Sequence, residues 1–281
     1  IKAWVVDGNL EIPKAFGAAR DSFLMDHPEL FYIDMYKLTI SASLSGGVYS
    51  AYIDSGRAAS VYRDNAFSTE TAVNKAINDY NAALNKIVDD VNKTVASDKS
   101  GKSEDFLAAT AANEAIAASV TYDFGAYNDF IENGDGASTA SLTHTAYGAL
   151  VLNKAVCSGY SFAYKAVMDQ LDVPCVIVSG YSKGKDKNGN DTAGNVGHAW
   201  NYVYLQTPQK EVVDARGISA LSSEEDGGWF AFDTTWNSVS SDKNKYSVMD
   251  SMTALSQHIA NGVISSSEYS LNYPALASLS Y

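Results

Sequence analysis

Apolar positions recur at two different periods along this chain, and the change of period divides it. Val73, Ile77, Tyr80, Leu84, Ile87, Val91 and Val95 fall at three- and four-residue steps with Asn, Asp and Lys between them. That pattern predicts one long amphipathic helix, capped by Ser68 or Thr69. Ser103 followed by Glu104 and Asp105 predicts a second helix, through Leu107 and Ile116 towards Tyr122, because the positive end of the helix dipole favours acids in the first turn. Shorter helical patches lie around Ala15 to Met25. Between Tyr32 and Arg63 the pattern alternates and is rich in tyrosine, punctuated by Ser45-Gly46-Gly47 and Asp54-Ser55-Gly56. It predicts a meander of two or three strands, at Leu38–Ile40, Val48–Ile53 and Ala59–Tyr62, with the tyrosines on one face of the sheet. Beyond an Asn133-Gly134-Asp135-Gly136 loop, a helix from about Cys157 to Leu171 precedes strand-like segments at Pro174–Tyr181, His198–Leu205, Glu211–Asp214 and Trp229–Thr235. Helices first and strands after them predict an α+β fold, not a doubly wound parallel sheet. The polar stretch from Ala96 to Lys102 separates an N-terminal α/β extension, residues 1–100, from a core at 101–281.

Composition narrows the picture. Of 281 residues 46% are hydrophobic and 19% charged, enough for a packed core and incompatible with general disorder. The net charge of −13 repels phosphates and excludes nucleic acid as a natural partner; as a long-range field it favours a cationic or neutral one. No apolar run approaches the ~18 residues of a membrane span. Cys157 and Cys175 make no disulfide framework, and their spacing leaves open whether they pair. Ile1 is not an initiator methionine, as in a chain that has lost a signal peptide. Few cysteines and lysines with many Ser, Asn and Tyr resemble extracytoplasmic bacterial proteins, so an extracellular or cell-surface location is expected.

Three segments carry candidate chemistry. In Ala155-Val156-Cys157-Ser158-Gly159-Tyr160 a cysteine opens an amphipathic helix, where the dipole and free backbone N–H groups stabilise a thiolate. Gly197-His198-Ala199-Trp200-Asn201 starts an alternating strand. In Trp229-Phe230-Ala231-Phe232-Asp233-Thr234-Thr235-Trp236 a carboxylate interrupts an aromatic strand and requires a partner. Singly, each reads more simply as structure: a buried thiol, a core histidine, a surface aspartate. Together they are what nucleophilic thiol catalysis needs, and antiparallel pairing of the last two strands would bring His198 to Asp233.

The segments VCSGYSFAY, GHAWNYVYL and WFAFDTTWN resemble the three motifs of the transglutaminase-like superfamily, in its bacterial branch, in the right order and across roughly Ser103 to Asn237. TAYGALV at 145–151 resembles the helix that precedes the cysteine in that family. The resemblance implies a papain-like fold, with a cysteine-bearing helix packed on an antiparallel sheet. It implies Cys157 as nucleophile, His198 as general base and acid, and Asp233 as orienter of the imidazole. It also implies acyl chemistry on a peptide or protein amide, hydrolysis by preference and transfer to an amine otherwise. The partner would be a peptide or protein substrate, in the cell wall for a surface enzyme. An inactive module binding peptide or cell-wall glycan on its Tyr- and Trp-rich surface is the rival reading.

Two features depart from the family pattern. Gln206 to Gly228 is a long insertion between the His and Asp strands. Val151 stands six residues before the cysteine, where papain-like proteases place an oxyanion-hole glutamine, leaving Tyr147, His144 or Asn153 as substitutes, with Tyr147 preferred. Tyr160, Trp200 and Trp236 are candidate substrate contacts. Asp186 to Asp191 alternates oxygen ligands as a calcium loop does, but its glycine is misplaced and Gly197 stands where the twelfth-position Glu belongs, so it reads as a polar turn. With no Gly-rich phosphate loop, HExxH or CxxC, neither metal nor cofactor is expected. Cys175 reads as a buried small hydrophobe, and His27 and His258 have no partner legible in the sequence.

Overall fold

The computed structural model describes residues 5–6, 9–34, 39–45, 48–54, 65–133, 142–185, 191–206, 211–213, 219–221, 227–260, 271–278 and 281. Two-residue strands β1 (Val5–Val6) and β2 (Asn9–Leu10) lead into helix α1 (Glu11–Asp26) and the hairpin β3 (Thr39–Ser45) and β4 (Val48–Asp54). Helices α2 (Glu70–Ser97) and α3 (Glu104–Ser119) follow, then β5 (Thr121–Tyr122), α4 (Phe124–Asn133), α5 (Ala146–Leu150) and β6 (Lys154–Ala155). Helix α6 (Cys157–Gln170) precedes β7 (Cys175–Lys185), β8 (Asp191–Gln206), the small pair β9 (Glu211–Val213) and β10 (Ser219–Leu221), and β11 (Gly227–Phe232). Next come α7 (Thr234–Val239), α8 (Ser251–Gln257) and β12 (His258–Ala260).

The caps explain where the long helices begin. Thr69 Oγ1 accepts from Ala72 N at 3.2 Å and Ser103 Oγ from Phe106 N at 3.3 Å, each satisfying an N–H that the helix itself leaves open. The third meander strand, the 133–136 loop (save Asn133, which ends α4) and most of the polar turn at 186–191 lie outside the described residues.

The core is a helix against a sheet. Strands run in the order β11-β8-β7-β12, each antiparallel to its neighbour. Tyr160, Tyr164, Val167 and Met168 of α6 are fully buried in one cluster with Val203 and Leu205 of β8 and Phe230 and Phe232 of β11. Tyr80, Leu84 and Val91 of α2 and Ala109, Ala112 and Ile116 of α3 belong to the same cluster. Burying side chains of this size stabilises the fold by about 1.5–3 kcal/mol each. The tyrosine hydroxyls remain satisfied, Tyr160 donating to Val120 O at 2.8 Å and Tyr164 to Ala109 O at 3.0 Å. Asn201 Nδ2 donates to Ser161 O at 3.1 Å and so ties β8 directly to α6. A second cluster on Val178, Trp200, Tyr202, Ala231, Met249 and Ala254 covers the remaining sheet surface. Cys175 is buried at 6% exposure, which pushes its thiol up, and both cysteines are free.

One expected strand stops short. The segment at Trp229–Thr235 leaves the sheet after Phe232, and Asp233 begins α7 as its N-cap, with Oδ1 accepting from Trp236 N at 2.9 Å. Aspartate is disfavoured in strands and strongly favoured at helix starts, which accounts for the change.

Candidate active site

The first turn of α6 is pinned from below. β6 pairs in parallel with β5, and Val156 N donates to Thr143 O at 3.0 Å, fixing the chain just before Cys157. Gly159 allows the close approach: a Cβ there would stand 2.3 Å from Thr143 O and 2.9 Å from Ala155 Cβ. The N-cap, Val156, has no polar side chain, so no side chain caps the first N–H groups of α6. Cys157 itself is half-buried. His144 Nδ1 lies 3.1 Å from Ser158 Oγ, beside the cysteine.

His198 sits on β8 opposite Gly180 of β7. Its Nε2–H donates to Asp233 Oδ2 at 2.7 Å, which leaves Nδ1 as the ring nitrogen able to exchange a proton with another group. Asp233 is fully buried, and its N–H donates to Tyr246 O at 2.8 Å. His258, at the start of β12 and 1% exposed, donates its Nε2–H to the same Oδ2 at 2.9 Å. Trp236 stacks on His198 with ring centroids 5.5 Å apart and packs at a tilt against His258 at 4.5 Å.

Electrostatics follow from this geometry. Burial by itself lowers the proton affinity of His198, but the Asp233 charge and hydrogen bond reverse that, and the Cys157 side chain acts in the same direction. The imidazole is pushed up to about 10. Burial raises Asp233, yet His198 and then His258 hold its carboxyl well below the usual carboxylate range. Ligand atoms of His198, Asp233 and His258 lie within 4.8 Å of one another, a set that can hold a metal ion. Both Nε2···Oδ2 separations are hydrogen-bond lengths, so protons bridge the three groups as they stand.

A cleft of about 950 Å³ opens at His198, walled by Tyr122, Phe124, Tyr127, Trp236 and Tyr246. Of the three aromatics expected to contact a substrate only Trp236 lines it; His198 is on its wall, and Cys157 is not among its described lining residues. Tyr160 is fully buried and belongs to the core, its ring being held by the bond to Val120. Trp200 is 1% exposed and backs His198 and His258 at 5.9 and 4.8 Å. The structure does not bring Tyr147 to the site: it stacks on Phe31 at 4.7 Å and packs against Phe67. His258 is the site residue that sequence reasoning missed. No neighbouring motif marks it, and its place comes from a three-residue strand joining β7 at the register His258↔Ser182.

The chain also shows similarity to known proteins. The chain is similar to the Kyphoscoliosis peptidase of Mus musculus, at 33% identity over 86 residues, and to that of Homo sapiens, at 31% over 86 residues. In both cases the match takes in 30% of this chain but spans only 10% of the length of the peptidase. A solved chain described as "Crystal structure of a TGase" aligns at a TM-score of 0.37 and 16% identity, covering 70% of this chain and 44% of that one. The family model of the transglutaminase-like superfamily matches residues 92–234, half of the chain, from the last turns of α2 to the residue after Asp233. The helix carrying Cys157, packed on an antiparallel sheet that brings His198 to Asp233, is therefore the core of a member of the transglutaminase-like superfamily, to which this chain belongs.

Proposed function

We propose that the chain is a thiol-dependent enzyme acting on peptide or protein amides, with Cys157 as nucleophile, His198 as general base and acid, and Asp233 as the group that orients the imidazole. The observation that carries the reading is the buried His198–Asp233 hydrogen bond of 2.7 Å with the Cys157 side chain acting on the same imidazole. Asp233 on Nε2 fixes the ring and stabilises its cationic form, so His198 is suited to take the thiol proton as the sulfur attacks. The sulfur attacks the amide carbonyl, and the uncapped N–H groups at the start of α6 are suited to the oxyanion. His198 then gives its proton to the leaving amine as the C–N bond breaks, and a thioester remains on Cys157. Water, deprotonated by His198, attacks the thioester, releasing the acid and returning the thiol. The open cleft of about 950 Å³ admits water to His198, which favours hydrolysis over transfer, and the relatives named as peptidases point the same way.

The test is active-site alkylation followed by turnover. Iodoacetamide should label Cys157 and spare buried Cys175, and His198→Ala should slow labelling by at least tenfold. A peptide library incubated with the enzyme should show new carboxyl termini that disappear in Cys157→Ala. Incorporation of a labelled amine without hydrolysis would assign transfer instead, and an inert Cys157 would remove the enzyme reading.

A further inference from the structure

The cleft reverses the charge of the chain that builds it. The protein carries a net charge of −13, yet no aspartate or glutamate is found among the described residues that line the cleft. Its charged side chains besides His198 are Lys183 and Lys245, both exposed. Lys102, over the Phe106 ring, and Lys243, which donates to Ser238 O, make no ion pair, whereas Lys75 is matched to Asp79, Lys86 and Lys93 to Asp90, Lys154 to Asp123 and Lys165 to Asp169. Among the described residues neither cleft lysine has such a partner. Lys183 Nζ donates to Leu255 O at 2.9 Å, and Lys245 Nζ lies 5.0 Å above the Tyr246 ring. Each ammonium has three donors, so each keeps hydrogen-bonding capacity for a ligand.

Their positions are set by the fold. The β7–β8 register slips between Ser182 and Gly184, a bulge with Lys183 at its centre, and bulges re-aim side chains at the edges of sites. Lys245 precedes Tyr246, whose carbonyl takes the Asp233 N–H, and its loop is held by buried Asn237, which accepts from Tyr246 N at 2.8 Å and donates to Asn113 at 3.1 Å. The two lysines thus stand on the two supports of the His198–Asp233–His258 cluster.

We propose that the cleft takes an acidic peptide segment. Carboxylates flanking the reacting amide meet Lys183 and Lys245, and an apolar side chain lies on Trp236 and the 63%-exposed Phe124. This rests on the amide-acting reading of the same site. Local positive charge in a negative protein selects by focusing at short range, while the overall field disfavours anions that lack a place to dock.

Binding is read on Cys157→Ala, so that no turnover is needed, by fluorescence polarisation of labelled hexapeptides sharing an apolar and a glutamine residue and differing only in flanking Glu, Gln or Lys. The Glu peptide should bind about tenfold tighter than the Gln peptide at low salt, as two exposed ion pairs allow. That ratio should shrink at about 0.5 M NaCl, where screening is short-ranged. It should fall to within about twofold of unity in Lys183→Gln/Lys245→Gln and persist in Lys183→Arg/Lys245→Arg, which also checks that the loop and bulge still fold. Equal binding of the Glu and Gln peptides, tighter binding of the Lys peptide, no measurable binding of any, or a preference that survives the Gln double substitution would overturn the proposal. Iodoacetamide labelling of the parent separates the two readings. An inert Cys157 with a Glu preference removes the enzyme and leaves the acidic specificity; a reactive Cys157 without the preference does the reverse.

Discussion

The imidazoles of His198 and His258 meet at a single oxygen, Asp233 Oδ2, 2.7 Å from one and 2.9 Å from the other. Asp233 therefore serves two rings and, through Oδ1, the Trp236 N–H, and three donors keep it ionised in a fully buried setting. The second imidazole draws on the same negative potential as the first, so it steadies the carboxylate and moderates its effect on His198.

Replacing His258 with Phe keeps a ring against Trp200 and Trp236 but removes one donor. We expect a loss of about 1.5–3 kcal/mol, the value of a hydrogen bond to a charged group, measured by urea unfolding. With Asp233 left to a single ring, His198 should hold its proton to higher pH, read by histidine NMR. Unchanged stability together with an unchanged titration would show that His258 does not act on the carboxylate.

Long-range proton–nitrogen NMR on labelled histidine should find His198 cationic at neutral pH, releasing its proton near 10. Cys157→Ala should lower that value modestly. Asp233→Asn should lower it much further, because burial then acts without its counterweight. An imidazole titrating near 6.5 in the parent would contradict this geometry.

The same shift links folding to pH. His198 has a folded value of about 10 against an ordinary 6.5, so its contribution is fully present below 6.5 and is lost as pH rises towards 10. Asp233 has the opposite sign: its lowered value gives a contribution present above the ordinary carboxylate range and lost only in strong acid. The urea midpoint should therefore fall from pH 6.5 to 10 more steeply in the parent than in His198→Gln. Parallel slopes would refute the assignment.

Gly159→Ala should cost about 1–3 kcal/mol, as overpacking does, because the added methyl meets the Thr143 carbonyl. The strain falls two residues from Cys157, so labelling should slow as well. A variant of parental Tm and labelling rate would mean that the turn below α6 yields without moving the cysteine.

Much of this was legible where one signal dominated. The Val73–Val95 stripe gave α2, with Thr69 of the two candidate caps in place, and the two-residue alternation of His198–Leu205 gave the central strand. Resemblance of short motifs placed Cys157, His198 and Asp233 on adjoining elements. Tyr160 and Trp200 were misread because an aromatic beside a functional residue can face either way, and here both complete the core. Asp233 looked like a strand residue because the aromatic run hides the cap. Tyr147 failed for a similar reason, since five residues of helix offer little to separate the cleft side from the Phe31 side. His258 depended on a strand pairing formed across many intervening residues, a long-range relationship without local trace.

The family match ends at residue 234, while the groups that complete the carboxylate's surroundings come later: the Tyr246 carbonyl, the Met249 backbone that brackets Ala231, and His258. Tyr281 adds a clasp, its hydroxyl 2.8 Å from Gln206 O on β8 and 2.7 Å from Ser103 Oγ at the cap of α3. Anyone excising a minimal fragment at the boundaries of sequence similarity would thus cut the site in half. The smallest piece worth expressing runs through Tyr281, and grafting the three motifs alone into another scaffold would transfer the reacting groups without the frame that tunes them.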